Sequence, residues 1–177
     1  MKTDSFDIDG PLLITPDVYK DDRGDFLETF SERAFIEVGV KSTFVQDNQS
    51  RSLKNVLRGL HFQNSPYAQG KLVRVSKGAV LDVIVDFRLD SPTLGRHLKV
   101  VLDDIKCQLL WVPPGFAHGF LALEDDTVFN YKCTGYYHKE SESGIIWNDP
   151  DLAIEWGIKD PIVSSKDQSL PSYRQVS

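Results

Sequence analysis

The sequence predicts an all-β protein, a sandwich or barrel of short strands, on three observations. From Thr43 onward apolar and polar residues fall in short runs with strand periodicity. Turn clusters separate those runs: Asp90-Ser91-Pro92, Pro113-Pro114-Gly115 and Glu124-Asp125-Asp126. Clear helical signals are confined to residues 31–38, where Ser31 is a candidate N-cap and Gly39 a stop.

Taken in order, Leu12, Leu13 and Ile14 read as a short strand before Pro16, and 21–25 as a glycine turn. Residues 26–30 read as the next strand. Residues 80–87 alternate, with Leu81, Val83, Val85 and Phe87 set against Asp82, Asp86 and Arg88. That pattern predicts one buried face and one largely polar face. Further strands are expected at 98–102, 108–112, 120–123 and 128–134. The stretch 148–171 is irregular, with a helical turn at 164–167, and Trp147, Trp156 and Ile162 are expected to pack it down.

With 177 residues, 41% hydrophobic and 26% charged, the chain suits one soluble domain with a real core. A net charge of −6 argues against nucleic acid as a partner but allows a local basic cluster to hold a small anion. No segment has signal-peptide or membrane-span character, so no membrane association is expected. Cys107 and Cys133 lack CxxC spacing and read as free thiols of a cytosolic protein.

The densest chemistry lies between Asn55 and Arg74, which brings together Arg58, His61 and Lys71. Imidazole is a natural general base near neutral pH, and a cation beside it suits an anionic ligand or a developing oxyanion. The same residues also read as a half-buried histidine among solvated charges. In a regular strand His61 shares a face with Gly59 and Gln63 while Arg58 points away. For both to reach one pocket the backbone must bend at Gly59, where glycine permits a bulge. Phe129, Tyr131 and Cys133 share a face; Tyr131 is a proton donor or a buried phenol with one hydrogen-bond partner. Asp167, in Ser164-Ser165-Lys166-Asp167, fits either a capping box or a catalytic carboxylate. Lys166 reads as solvated, and Glu142 as an exposed turn residue unless a ligand approaches.

Pro114-Gly115-Phe116-Ala117-His118 resembles the second motif of cupin jelly rolls. Where metal-binding cupins carry His-x-His, this chain has His61-Phe62-Gln63, and an amide is a poor ligand for a transition metal. The barrel mouth is therefore read as holding His61 and His118 without metal. His118 equally reads as a core histidine satisfied by backbone.

The whole set then resembles the dTDP-4-dehydrorhamnose 3,5-epimerase family. The resemblance rests on Asp22-Arg23-Gly24-Asp25-Phe26-Leu27-Glu28, Gln46-Asp47-Asn48-Gln49-Ser50, Leu57-Arg58-Gly59-Leu60-His61-Phe62-Gln63, Gln69-Gly70-Lys71, Phe116-Ala117-His118-Gly119-Phe120, Tyr131-Lys132-Cys133, Trp147-Asn148-Asp149-Pro150 and Ser165-Lys166-Asp167. It implies a single cupin-like jelly-roll domain over 1–177, with a few short helices, a core at about 43–135 and a tail packed on the barrel. It further implies a cytoplasmic, cofactor-independent homodimer that exchanges N-terminal strands and acts on a dTDP-sugar. By position it implies His61 as base, Asp167 as its orienting partner, Tyr131 as acid and Lys71 as enolate stabiliser. Arg58 and His118 would hold the sugar and diphosphate. Arg23, Glu28, Gln46, Asn48, Tyr137, Glu142 and Lys166 would line the nucleotide side, with Phe26 stacked on thymine.

Overall fold

The computed structural model describes residues 1–176. The chain opens with β1 (Lys2–Ser5), β2 (Leu12–Thr15) and the hairpin β3 (Val18–Asp21) and β4 (Gly24–Leu27), followed by α1 (Glu32–Glu37). The barrel strands are β5 (Gln46–Ser52), β6 (Val56–Gln63), β7 (Lys71–Lys77), β8 (Ala79–Asp86), β9 (His97–Asp103), β10 (Leu109–Val112), β11 (Phe116–Ala122) and β12 (Thr127–Cys133). The tail adds β13 (Glu142–Gly144), β14 (Ile162–Val163), α2 (Ser165–Gln168) and α3 (Tyr173–Val176).

Two sheets face each other. One runs β1-β2-β10-β7-β12-β5; the other runs β13-β6-β11-β8-β9, with β14 parallel to β6. Between them lies a core in which Val73, Val75, Leu110 and Phe129 of the first sheet meet Val80, Ile84, Leu102, Phe116 and Phe120 of the second. Each outer face is covered as well. Phe35 of α1 packs with Leu72, Leu109 and Trp111 on the first sheet. Tail residues Ile145, Leu152, Ile154 and Trp156 pack over Leu57, Leu60, Phe62, Val83 and Val85 on the second. This is the cupin-like jelly roll, stabilised by burial on three levels rather than one.

That covering overturns the sequence reading of 80–87. Both faces of β8 are buried, and the polar-parity side is the one that faces the barrel interior. Asp82 and Asp86 are fully buried. Asp86 accepts from Arg88, Ser91 and Thr93, so its turn replaces the water that burial removes. Three further readings change. Strand β4 ends at Leu27, leaving residues 28–30 outside it. Ser31 precedes α1 but makes no side-chain cap. Ile162 is 56% exposed and pairs with Val56 by backbone rather than pinning the tail, which Trp156 does by burial and by donating to the Trp147 carbonyl at 2.8 Å.

The bend expected at Gly59 is present as a β-bulge. His118 lies opposite His61 and Phe120 opposite Arg58, so β6 carries one residue more than β11 over this span. The burial pattern shows the consequence. Leu57 before the bulge and Leu60 and Phe62 after it all pack outward under the tail, leaving Arg58 and His61 both turned inward. The bulge requires two bare backbones. A Cβ at Gly59 would come within 2.5 Å of the Gly119 Cα, and Gly59 has φ +123. Gly24 has a similar φ of +127 with no neighbour within 4 Å. Gly24→Ala should therefore cost about 1–3 kcal/mol for backbone strain alone, and Gly59→Ala should cost more than that. Urea unfolding of both variants gives the comparison; equal losses would show that close approach to Gly119 is unimportant.

Candidate active site

The site is assembled from the barrel strands β5, β6, β7, β11 and β12 together with β13, β14 and helix α2 of the tail. Inward parity brings Lys71 from β7, Tyr131 and Phe129 from β12, and His118 and Phe120 from β11 into the barrel. The bulge adds Arg58 and His61 from β6. Together with Ser50, Glu142, Lys166 and Asp167 these residues line a cavity of about 570 Å³. A second cavity of about 330 Å³ shares His61, Lys71, Tyr131 and Glu142 and is also lined by Gln46, Asn48, Gln63, Cys133 and Tyr137. A volume of this order suits a small-molecule ligand.

Asp167 takes part in half of the capping box and turns its carboxylate toward His61. Its backbone N–H donates to Ser164 Oγ at 3.1 Å, which caps α2. Its carboxylate does not close the capping box. One oxygen accepts from the Gly59 N–H at 3.1 Å, and the other meets His61 Nε2 at 2.8 Å. Burial pushes this carboxyl up, but the bonds from His61 and Gly59 outweigh it and hold the group below its ordinary range. An ionised carboxylate can only accept, so His61 Nε2 carries the hydrogen and Nδ1 keeps the free lone pair.

His118 forms a second imidazole–carboxylate pair. Its Nε2 lies 2.9 and 3.1 Å from the two oxygens of Asp82. It is thus neither satisfied by backbone nor free. Asp82 was missed by sequence reasoning, although an acid inside an otherwise apolar strand is the signal that marks it. Gly119 was missed too, because its role is visible only across elements.

The other ionisable groups are held in suitable states. Burial pushes the Lys71 ammonium down, against the pull of Cys133, Asp82 and Glu142. Burial raises the Tyr131 phenol, with Arg58 opposing, so the hydroxyl keeps its proton at neutral pH. Glu142 is not an exposed turn residue; Lys166 stays exposed, as its sequence suggests, and pairs with it. Glu142 Oε2 accepts from Lys166 Nζ at 2.6 Å and from the Tyr137 hydroxyl at 2.8 Å. Burial alone would raise Glu142, but those bonds lower it. Gln46 Oε1 accepts from the Tyr137 N–H at 3.2 Å, and Gln46 Nε2 donates to Asn48. Gln63, the residue at the lost imidazole position, accepts from the His138 N–H at 2.7 Å and donates to the Tyr67 carbonyl at 2.7 Å. Its amide fastens two mouth loops together.

Three expected residues do not join this group within one chain. Arg23 and Phe26 line a separate cavity of about 430 Å³ on the β3–β4 hairpin, and Glu28 is exposed beyond it. Cys107 and Cys133 are free thiols. No described helix is long and apolar enough to cross a membrane.

A cupin-like barrel whose cavity presents an oriented imidazole, a protonated phenol and a softened ammonium defines a class: an isomerase that works by acid–base chemistry on a small molecule. The comparisons narrow it. The model of the family described as dTDP-4-dehydrorhamnose 3,5-epimerase matches residues 5–175, and the chain belongs to that family. It is 52% identical over 166 residues to dTDP-4-dehydrorhamnose 3,5-epimerase of Escherichia coli, covering 93% of this chain and 90% of that one. It is 50% identical over 171 residues to the Methanothermobacter thermautotrophicus protein of the same name, covering 95% and 92%. Among solved structures, dTDP-6-deoxy-D-glucose-3,5-epimerase of Legionella pneumophila, in complex with dTDP-4-keto-L-rhamnose, superposes with a TM-score of 0.95 at 45% identity, covering 99% of this chain and 94% of that one.

The depressed Lys71 ammonium gives a test with a definite sign. Competitive acetylation across pH should show Lys71 titrating below the roughly 10.4 of a free lysine side chain. Glu142→Gln, which removes one of the charges holding the proton on, should move it lower still. An upward movement would contradict the charge arrangement described.

Proposed function

We propose that this chain inverts C3 and C5 of dTDP-4-dehydro-6-deoxy-D-glucose to give dTDP-4-dehydro-L-rhamnose. One observation carries the assignment of roles: His61, Lys71 and Tyr131 line a common cavity. A proton α to the 4-keto group passes to His61 Nδ1, and the bonding pair moves into an enolate. Asp167 steadies the imidazolium that forms. The Lys71 ammonium meets the enolate oxygen, an arrangement worth roughly 3–4 kcal/mol when preorganised. Inversion needs a proton from the opposite face, which the Tyr131 hydroxyl supplies. Each half-cycle leaves His61 protonated and Tyr131 ionised, and exchange with water resets both. Arg58 and His118 hold the sugar and diphosphate, while Gln46, Asn48, Tyr137, Glu142 and Lys166 line the nucleotide side. No step calls for a redox cofactor or a metal.

That chemistry carries solvent hydrogen into the product. In heavy water the product should contain deuterium at both C3 and C5, read by NMR. Deuterium at one carbon only would make this a single-carbon epimerase on a related 4-keto sugar. Its absence from both, with the sugar nucleotide bound, would leave a binding protein. His61→Asn should lower turnover by about 10²–10⁴-fold.

The same reading includes a homodimer with exchanged N-terminal strands. It is supported by the β3–β4 hairpin, which among the described residues pairs only with itself and leaves Tyr19 and Phe26 65% and 69% exposed. Arg23, Phe26 and Glu28 would then complete the nucleotide side of a second copy's site, with Phe26 on thymine. Mixing inactive Arg23→Ala and His61→Asn proteins should restore part of the activity, because mixed dimers hold one intact site; no recovery would rule the exchange out. The free thiols support a cytoplasmic setting, which cell fractionation would check.

A further inference from the structure

Residues 134–138 leave β12 at the barrel mouth, and from Thr134 to His138 the chain belongs to no helix or strand. Irregular backbone of this kind needs partners from elsewhere. Three glutamine side chains bind it. Gln69 Nε2 donates to the Gly135 carbonyl at 2.6 Å, and Gln46 Oε1 accepts from the Tyr137 N–H at 3.2 Å. Gln63, which is buried, works from both ends of its amide. Its Oε1 accepts from the His138 N–H at 2.7 Å. Its Nε2 donates to the Tyr67 carbonyl at 2.7 Å and to the Tyr136 carbonyl at 3.5 Å.

An N–H faces one end of this amide and carbonyls face the other, so the position demands an acceptor and donors in that order. The neighbouring loop, residues 64–70, is drawn in by the same group. Tyr67, whose carbonyl Gln63 holds, stacks its ring on His138 with centroids 3.7 Å apart. The Asn64 N–H donates to the Ser141 carbonyl at 2.8 Å. The two loops therefore form one unit with a buried amide at its centre. Gln63 grips Tyr136 and His138, and between them stands Tyr137. That residue lines the cavity beside His61 and Lys71 and donates its hydroxyl to Glu142 at 2.8 Å. The hydrogen bonds of the Gln63 side chain all go to backbone, so it acts on a ligand through what it positions.

We infer that Gln63 is a positioning residue: its amide clamps both flanks of Tyr137 and so presents that ring to the nucleotide side of the site. The identity of the ligand rests on the functional reading above; the clamp rests on the hydrogen bonds. A loop ordered in advance loses less freedom when a ligand docks on it. Loss of the clamp is therefore felt in affinity rather than in proton transfer at His61.

The test is Gln63→Glu, which keeps the shape and the oxygen facing His138 but sets a carboxylate oxygen against two carbonyls. Calorimetric titration with dTDP should show affinity about tenfold below wild type at about pH 8, the scale of one lost hydrogen bond. A carboxyl facing carbonyls holds its proton above the ordinary value of about 4.3. At about pH 5 the protonated form donates again, and the deficit should shrink to within about threefold. The titratable groups that face this position, His61, Lys71, Tyr131, Cys133, His138 and Glu142, are the same in both proteins, as are the Tyr67 and Tyr137 phenols. The ratio of the two affinities therefore isolates the new carboxyl. With the 4-keto sugar nucleotide at about pH 8, KM should rise by the same factor while kcat falls by less than about threefold. Gln63→Leu, which loses both ends of the clamp, should bind dTDP weakly at both pH values; should it fail to fold, the isosteric variant still decides. An unchanged affinity at the higher pH, a deficit that acid does not reverse, or a kcat that falls as far as KM rises would overturn the inference. Wild-type protein that binds dTDP but turns over no 4-keto sugar would sink the epimerase reading and leave the clamp to be decided by the dTDP affinities. If wild type does not bind dTDP, both fail.

Discussion

The contact between the bare backbones of Gly59 and Gly119 is the constraint on which the site depends. Two strands cannot approach so closely if either carries a side chain at that point. Their approach accommodates the extra residue in β6, and that residue reverses the parity of the strand. Arg58 and His61, which a regular strand would send to opposite faces, both enter the barrel as a result. The bulge has a second consequence. It leaves the Gly59 N–H available to a partner outside the ladder, and the Asp167 carboxylate takes it while also holding His61. One local irregularity thus aims His61 and anchors the group that fixes its tautomer.

The charge arrangement follows from burial on both sides of the second sheet. The tail covers its outer face, so the polar members of β8 have only the interior available. Asp86 accepts from Arg88 in its own turn, and Asp82 is hydrogen-bonded to His118. A buried carboxylate without such a partner would be very costly. The pairs Asp82–His118 and Asp167–His61 place two oriented imidazoles in one cavity while Lys71 and Arg58 supply positive charge. Tyr131 stays protonated because burial disfavours the phenolate. A protonated phenol and an oriented imidazole therefore line one cavity.

Much of this was legible in the sequence. The strands of the barrel, the bend at Gly59 and the shared inward face of Phe129, Tyr131 and Cys133 follow from periodicity and from what glycine permits. Asp82 and Asp86 were misread because strict alternation looks the same whether the polar face meets solvent or a cavity. Only the tail, packed from far along the chain, decides which. Asp167 was ambiguous because a capping box and a catalytic carboxylate need the same residues; the structure separates the backbone N–H from the side chain. Glu142 looked exposed because its partner Lys166 lies far along the chain on another element. That Arg23 and Phe26 line a cavity of their own was not legible, since a hairpin that pairs with itself has no local signature for what it packs against.

The central claim is that base and acid stand on opposite sides of one bound sugar. Tyr131→Phe, incubated with the 4-keto sugar nucleotide in heavy water, tests it most directly, with deuterium and configuration read by NMR in the recovered sugar. Without the phenol, His61 can still remove a proton and return solvent deuterium to the same face. Recovered substrate should carry deuterium with its configuration unchanged, while inversion falls by about 10²-fold or more. Inverted product at the wild-type rate, or recovered substrate free of deuterium, would contradict the two-sided site.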